Sequence, residues 1–412
     1  SIVAEQMPVE AINLNLWLNV GSALEPEPIN GMAHFLEHMV FKGTPGLRCG
    51  EFERLIEERG AITNAATSQD YTHYYITTAP KDFVDLAPLQ MDVVLNASIS
   101  DEAFVRERPV ILEEIRRSAD NPRRRTFQRA MELAFECLPY RRSVLGPTAV
   151  IEQLAPQQMR NFHATWYQPP SMTAVAVGNL PAETLVQTIA DRFTQVQNTA
   201  RGAIAHPDIY PSLKDRLPES PFQSIIRSDY QDPSLQQARL IMVWRVPGMA
   251  NLHQTYALDV LANILGIGRT GRLIQDLRED RKLVSGIGAS NMTYSMQGVF
   301  YITAQLPIEN LATVEAAIAQ HIDKIRTEPI TTAEIERIRT QVANRYIFGS
   351  ETPSDRANLY GYYQTMVGDL APALNYPAHI QALKASDLQT AAQRYLNPEA
   401  YGVVAVRPGD RQ

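Results

Sequence analysis

A short internal echo constrains this chain more than any other feature. Arg48-Cys49-Gly50 returns as Arg269-Thr270-Gly271, an offset of 221 residues, and Tyr167-Gln168-Pro169-Pro170 returns as Tyr395-Leu396-Asn397-Pro398. Each tyrosine–proline stretch leads into an apolar run, 172–177 and 401–406, that reads as a strand. Between the copies, residues 198–222 hold Pro207, Pro211, Pro218 and Pro221 among polar residues without helical periodicity, which reads as a linker. At 412 residues the chain exceeds one comfortable core. The expectation is an α+β protein of two homologous domains, 1–197 and 223–412. Each is a mostly antiparallel sheet packed with helices, and the two enclose a cleft.

Composition narrows the function. Hydrophobic residues make up 45% and charged residues 20%, a globular balance, and the net charge of −7 leaves no basic footprint for nucleic acid. No apolar run approaches the ~18 residues of a membrane span. Two cysteines, Cys49 and Cys137, lie outside any C-x-x-C pair, so neither a disulfide framework nor a cysteine metal site is indicated. That usage is compatible with a reducing compartment. The first residue is serine, so targeting is not read from it. The location stays unknown from the sequence, with cytoplasm favoured over periplasm or an organelle.

The chemistry concentrates in Gly31-Met32-Ala33-His34-Phe35-Leu36-Glu37-His38-Met39-Val40, which reads as a helix. His34 and His38 are four apart and stand one above the other on one face, with Glu37 flanking that face. Two imidazoles one turn apart suit zinc, whose catalytic sites take three protein ligands and keep one position for water. A carboxylate beside that water can take its proton. The H-x-x-E-H order inverts the common H-E-x-x-H zinc signature. Read alone, the pair is also what a partly buried helix face holds, so a third ligand on another helix decides the matter. In 104–115, Glu107 and Glu114 are seven apart, two turns, and point the same way, while Glu113 lies about 100° around. Alone, those acids are also what a solvated face holds. At the 221-residue offset His34, Glu37 and His38 fall on Thr255, Leu258 and Asp259, so the second half keeps the scaffold without the ligands.

Together the two segments resemble the pitrilysin and mitochondrial processing peptidase family of zinc metallopeptidases. The 76 positions from His38 to Glu114 fit that family's spacing. The resemblance implies one Zn2+ per chain on His34, His38 and Glu114, Glu37 as general base, and Glu107 as a carboxylate orienting a ligand. It also implies that 61–67, with Asn64 and Ala65, is an edge strand onto which a peptide adds through its main chain. On the residues themselves an ordinary edge hairpin reads equally well. His73, in the next strand, reads as structural, and Asn121-Pro122-Arg123-Arg124-Arg125 as a solvated basic turn.

In the second half, Leu277-Arg278-Glu279-Asp280-Arg281-Lys282-Leu283-Val284-Ser285 resembles the family's arginine–tyrosine element, in which the arginine holds the substrate backbone and the tyrosine stabilises the oxyanion. Arg278 matches the arginine, but Ser285 stands where the tyrosine belongs. A serine is shorter than a phenol, and losing one oxyanion donor costs ~3 kcal/mol. The resemblance then implies a metal-bearing subunit that pairs with a homologous arginine–tyrosine subunit, or with a second copy of itself. The alternative is drift at Ser285, with Tyr294 or another donor filling in. The expected activity is hydrolysis of internal bonds in short or unfolded peptides. The rival is a non-catalytic assembly subunit of the same fold, as in respiratory complexes.

Overall fold

The computed structural model describes residues 1–199 and 216–409, so 200–215, the middle of the expected linker, lies outside the described residues. The chain forms two compact units. The first is Ser1–Arg117 with Arg142–Leu213 and Ile347–Leu374, and the second is Ser118–Arg141 with Lys214–Tyr346 and Asn375–Gln412.

In the first unit, strands β1 (Ile2–Gln6), β2 (Ile12–Leu18), β3 (Ile62–Thr67), β4 (Thr72–Thr78) and β5 (Met172–Gly178) form a sheet in the order β1-β5-β2-β4-β3. Only β1 runs parallel to its neighbour, β5. The chain's helices begin with α1 (Met32–Val40), α2 (Glu51–Glu58), α3 (Phe83–Leu95), α4 (Asp101–Asp120), α5 (Pro122–Ala134), α6 (Thr148–Gln153), α7 (Pro156–Trp166) and α8 (Ala182–Thr199). In the second unit, β6 (Ile226–Asp232), β7 (Ala238–Pro247), β8 (Gly286–Met292), β9 (Gln297–Leu306) and β10 (Gly402–Pro408) take the matching order β6-β10-β7-β9-β8, with β6 parallel to β10. Its half of the sequence continues with α9 (Thr255–Gly266), α10 (Leu311–Thr327), α11 (Thr332–Phe348), α12 (Pro353–Met366), α13 (Ala371–Ala382) and α14 (Ala385–Tyr395). The two mixed five-stranded sheets packed with helices are the duplicated α+β architecture that the repeats imply.

Alternation in β2 shows how each sheet is covered. Ile12, Leu14, Leu16 and Leu18 point into the core, where α1, α3 and α8 pack on the sheet, and all four are fully buried. Asn13, Asn15 and Trp17 face the other way and are buried too. What buries them is α12, from the distant half of the sequence, seated on β2 and β5. Ala357 packs on Val175 and Val177, Asn15 Nδ2 donates to Asn358 Oδ1 at 2.7 Å, and Arg356 pairs with Glu5. The second sheet is covered likewise by α5, from the first half. There Ala130 packs on Ile241, Val404 and Val406, and Arg129 lies 4.0 Å over the Tyr230 ring.

The start of α5 corrects one expectation. Asn121-Pro122-Arg123-Arg124-Arg125 enters a helix instead of forming a turn, with Asn121, Arg123 and Arg124 exposed as read. Asn121 Oδ1 accepts the amides of Arg123 and Arg124, Pro122 takes the first helical position, and Arg125 pairs with Asp232. His73 is structural as read. It stacks on Trp17 with ring centroids 4.2 Å apart, and burial pushes it down to about 4.

The α12 seat is close enough to test. A Cβ on Gly361 would stand 2.0 Å from Trp17 Nε1. In an open helix, replacing glycine by alanine stabilises by about 1 kcal/mol. Here overpacking reverses the sign: Gly361→Ala is expected to cost about 1–3 kcal/mol, read as a lowered melting temperature.

Candidate metal centre

Helix α1 is short and starts without a capping side chain of its own. Gly31 occupies the N-cap in the left-handed region at φ 99°, and the apolar residues Met32, Ala33, Phe35, Leu36, Met39 and Val40 bury the inward side of α1. That leaves His34 and His38 on the side facing α4, where Ala103, Phe104, Glu107 and Ile111 form the buried stripe. Phe35 stacks on Phe104 at 4.5 Å, which fixes the approach of the two helices.

Across that junction one donor atom each from His34, His38 and Glu114 comes within 4.8 Å of the others, and among the described residues no other trio of His, Cys, Asp or Glu does so. Glu114 Oε2 lies 3.4 Å from His34 Nε2 and 3.6 Å from His38 Nε2. These separations exceed good N–H···O contacts of about 2.7–3.2 Å. They match the corners of a tetrahedron around zinc, which stand about 3.3 Å apart for bonds of about 2.0 Å. Two neutral imidazoles and a carboxylate are a donor set that fits this ion.

The surrounding side chains fix that set. His38 Nδ1 meets Glu107 Oε1 at 3.0 Å, which places the proton on Nδ1 and leaves the Nε2 lone pair toward Glu114. Lys42 Nζ holds the other Glu107 oxygen at 2.8 Å. Burial pushes the Glu107 carboxyl up, but Lys42 and His38 together outweigh it and hold it below its ordinary value. Glu37 is steadied by Thr67, whose hydroxyl donates to Glu37 Oε2 from the end of β3. Glu113 points away and pairs with Arg116 and Arg117.

β3 is the edge strand of its sheet, and Asn64 is exposed on it. The Asn64 side chain itself accepts the Ala65 amide at 2.9 Å, so one edge donor is covered by its neighbour. Arg278 lies in the second unit, in a π-helical turn, Ile274–Asp280, where it pairs with Glu279 at 2.7 Å. The Ser285 hydroxyl donates to Gln237 Oε1 at 2.7 Å. Tyr294 is buried and stacked on Tyr140 at 4.4 Å.

Three neighbours of this cluster escaped the sequence reading. Lys42 was findable, since the step from His34 to His38 repeated once more lands on it. Thr67 required knowing where β3 ends against α1. Glu25, buried beneath the start of α1, sits in a loop with no periodic signal.

On α9 the positions matching His34, Glu37 and His38 are satisfied inside the protein. Leu258 is fully buried in the core, and Thr255 donates its hydroxyl to Leu252 O at 2.7 Å. Asp259 accepts from Asn291 Nδ2 at 2.8 Å and from the Tyr376 hydroxyl at 3.0 Å. Burial pushes Asp259 up to about 6 against those two hydrogen bonds. The folded chain therefore keeps a proton that the unfolded chain loses near its ordinary value of 3.8, so this group's stabilisation is full below that pH and fades as pH rises through about 6. Asp259→Asn is expected to flatten that loss. Its melting temperature relative to wild type should rise steadily between pH 4 and pH 7.

Comparisons with known proteins bear on both units. The family description "Insulinase (Peptidase family M16)" matches residues 1–148, and "Peptidase M16 inactive domain" matches 153–342. The zinc protease PqqE of Helicobacter pylori is 26% identical over 399 residues, spanning 96% of this chain and 88% of that protein. A protease crystal structure from Helicobacter pylori superposes with a TM-score of 0.87 at 26% identity, over 98% of this chain and 96% of that one. A chain of complex III2 from Candida albicans superposes with a TM-score of 0.79 at 15% identity, over 98% of this chain and 93% of that one, a likeness of fold alone. The chain therefore belongs to peptidase family M16, the two M16 descriptions covering residues 1–148 and 153–342.

Proposed function

We propose that the chain is a zinc-dependent endopeptidase that cleaves short or unfolded peptides, with His34, His38 and Glu114 as ligands of one Zn2+. The observation that carries this is the convergence of three donor atoms at zinc-like separations beside a carboxylate held by its own partner. The zinc protease relative supports the choice of metal. Zinc supplies Lewis acidity at the scissile carbonyl and lowers the pKa of a water beside it.

The chain's own residues do the rest. Glu37 Oε2 is engaged by Thr67, leaving Oε1 to take a proton from the attacking water and return it to the leaving amine. Glu107 keeps His38 in the tautomer that presents Nε2. A substrate lies extended along the free edge of β3, where Asn64 must release the Ala65 amide for the peptide to pair with it. Only an extended backbone can pair in this way, which selects short or unfolded peptides over folded ones.

The oxyanion donor is the missing part. With serine at position 285 and its hydroxyl committed to Gln237, we assign this chain as the metal-bearing member of a pair whose homologous partner supplies an arginine and a tyrosine. Arg278 contributes to holding the substrate backbone once freed from Glu279. The rival reading, a non-catalytic assembly subunit, draws on the complex III likeness, but such a role gives no reason to keep the three donor residues together with Glu37.

Two measurements test this reading. Glu37→Gln is expected to retain stoichiometric zinc while losing at least about a hundredfold in peptide cleavage, and Glu114→Gln to lose the zinc itself. Cleavage that survives in Glu37→Gln rules out the base assignment. For the pairing, the purified chain should be weak alone and gain roughly a hundredfold or more when a homologous arginine–tyrosine subunit is added. Full activity in the lone chain contradicts it.

A further inference from the structure

The two histidines are held by different means. His38 has Glu107 on its ring. His34 Nδ1 is buried and, among the described residues, meets no hydrogen-bond partner. Ligand histidines ordinarily have their second nitrogen engaged, and that contact sets the ring's orientation. With no hydrogen bond on Nδ1, the aim of His34 rests on the packing of its ring, which lies 5.0 Å from that of His38, and on the backbone that carries it. That backbone is the first turn of α1, whose amides have no partners inside the helix.

One side chain supplies those partners. Glu25 is completely buried, and its Oε1 accepts the Ala33 amide at 2.7 Å while its Oε2 accepts the Gly31 amide at 2.8 Å and Asn30 Nδ2 at 2.9 Å. Both oxygens are thus tied to the turn immediately before His34. The loop beneath is locked in its turn by Arg142, which donates to Ser22 O at 2.7 Å and Glu25 O at 2.8 Å and pairs with Glu27 at 3.3 Å. The junction has no slack, because a Cβ on Gly31 would fall 2.6 Å from both Ile151 Cδ1 and Leu145 O.

We infer that Glu25 is a positioning residue for the metal centre, acting on His34 through the main chain as Glu107 acts on His38 through the ring. This rests on the zinc reading above. A carboxylate in this place also complements the positive end of α1. Burial pushes its carboxyl up to about 7 against the pull of the Ala33 amide, the Asn30 side chain, the Gly31 amide and Arg142.

The test measures zinc affinity by chelator competition for wild type, Glu25→Gln and Glu25→Ala, each well below its melting temperature, alongside the visible spectrum of the Co2+ form. Glu25→Ala is expected to weaken zinc about tenfold to a hundredfold and to alter the Co2+ bands. Glu25→Gln keeps one acceptor oxygen but turns an NH2 toward amide donors, so a smaller loss in the same direction is expected, and it carries the test should Glu25→Ala not fold. A merely structural role would lower the melting temperature yet leave affinity and spectrum unchanged. Wild type that binds zinc while folded variants bind it equally overturns this inference alone. Wild type that takes up no zinc overturns the metal reading and this inference with it.

Discussion

Everything distinctive about this chain depends on how α1 lies against α4. Neither helix holds a metal site by itself, since one offers two imidazoles and the other a single carboxylate. Phe35 on Phe104 sets the approach, and only then do the three donor atoms stand within 4.8 Å of one another. The apolar contact is therefore the precondition of the polar one. The energy that assembles the donors comes from burying the stripes on both helices, and the donors occupy the rim that burial leaves open.

The second unit repeats the scaffold and shows what happens without the ligands. The matching helix α9 carries Thr255, Leu258 and Asp259, and each is satisfied within the protein: one by a backbone carbonyl, one by the core, one by Asn291 and Tyr376. A buried acid with two hydrogen-bond donors is a closed arrangement. The first unit's Glu114 instead faces two imidazoles at distances too long for good hydrogen bonds. Two copies of one fold thus differ at this place: one brings two imidazoles and a carboxylate within 4.8 Å, the other fills it with side chains satisfied inside the protein.

What could be read from the sequence was local. The histidine pair, Glu37 and the two acids seven apart follow from helical periodicity. The echo of tyrosine–proline stretches gave the duplication. The missed pieces are those whose partners lie far along the chain. β1 and β6 went unread because each pairs in parallel with a strand about 170 residues later, β5 and β10. Asn121 and its arginines resembled an exposed turn because nothing local reports the sheet on which α5 lies. Glu25 looked like any loop acid, since its three donors come from a turn that exists only once α1 has formed.

The exchange of α5 and α12 has a consequence for how the molecule is made. The last strand of the first sheet ends at Gly178, yet the helix that roofs its outer face begins only at Pro353. A ribosome that has finished the first half has therefore produced a sheet with one bare side, and that side stays open until nearly the whole polypeptide has emerged. A protease cutting between the two halves after completion would leave each unit still carrying a helix encoded by the other half.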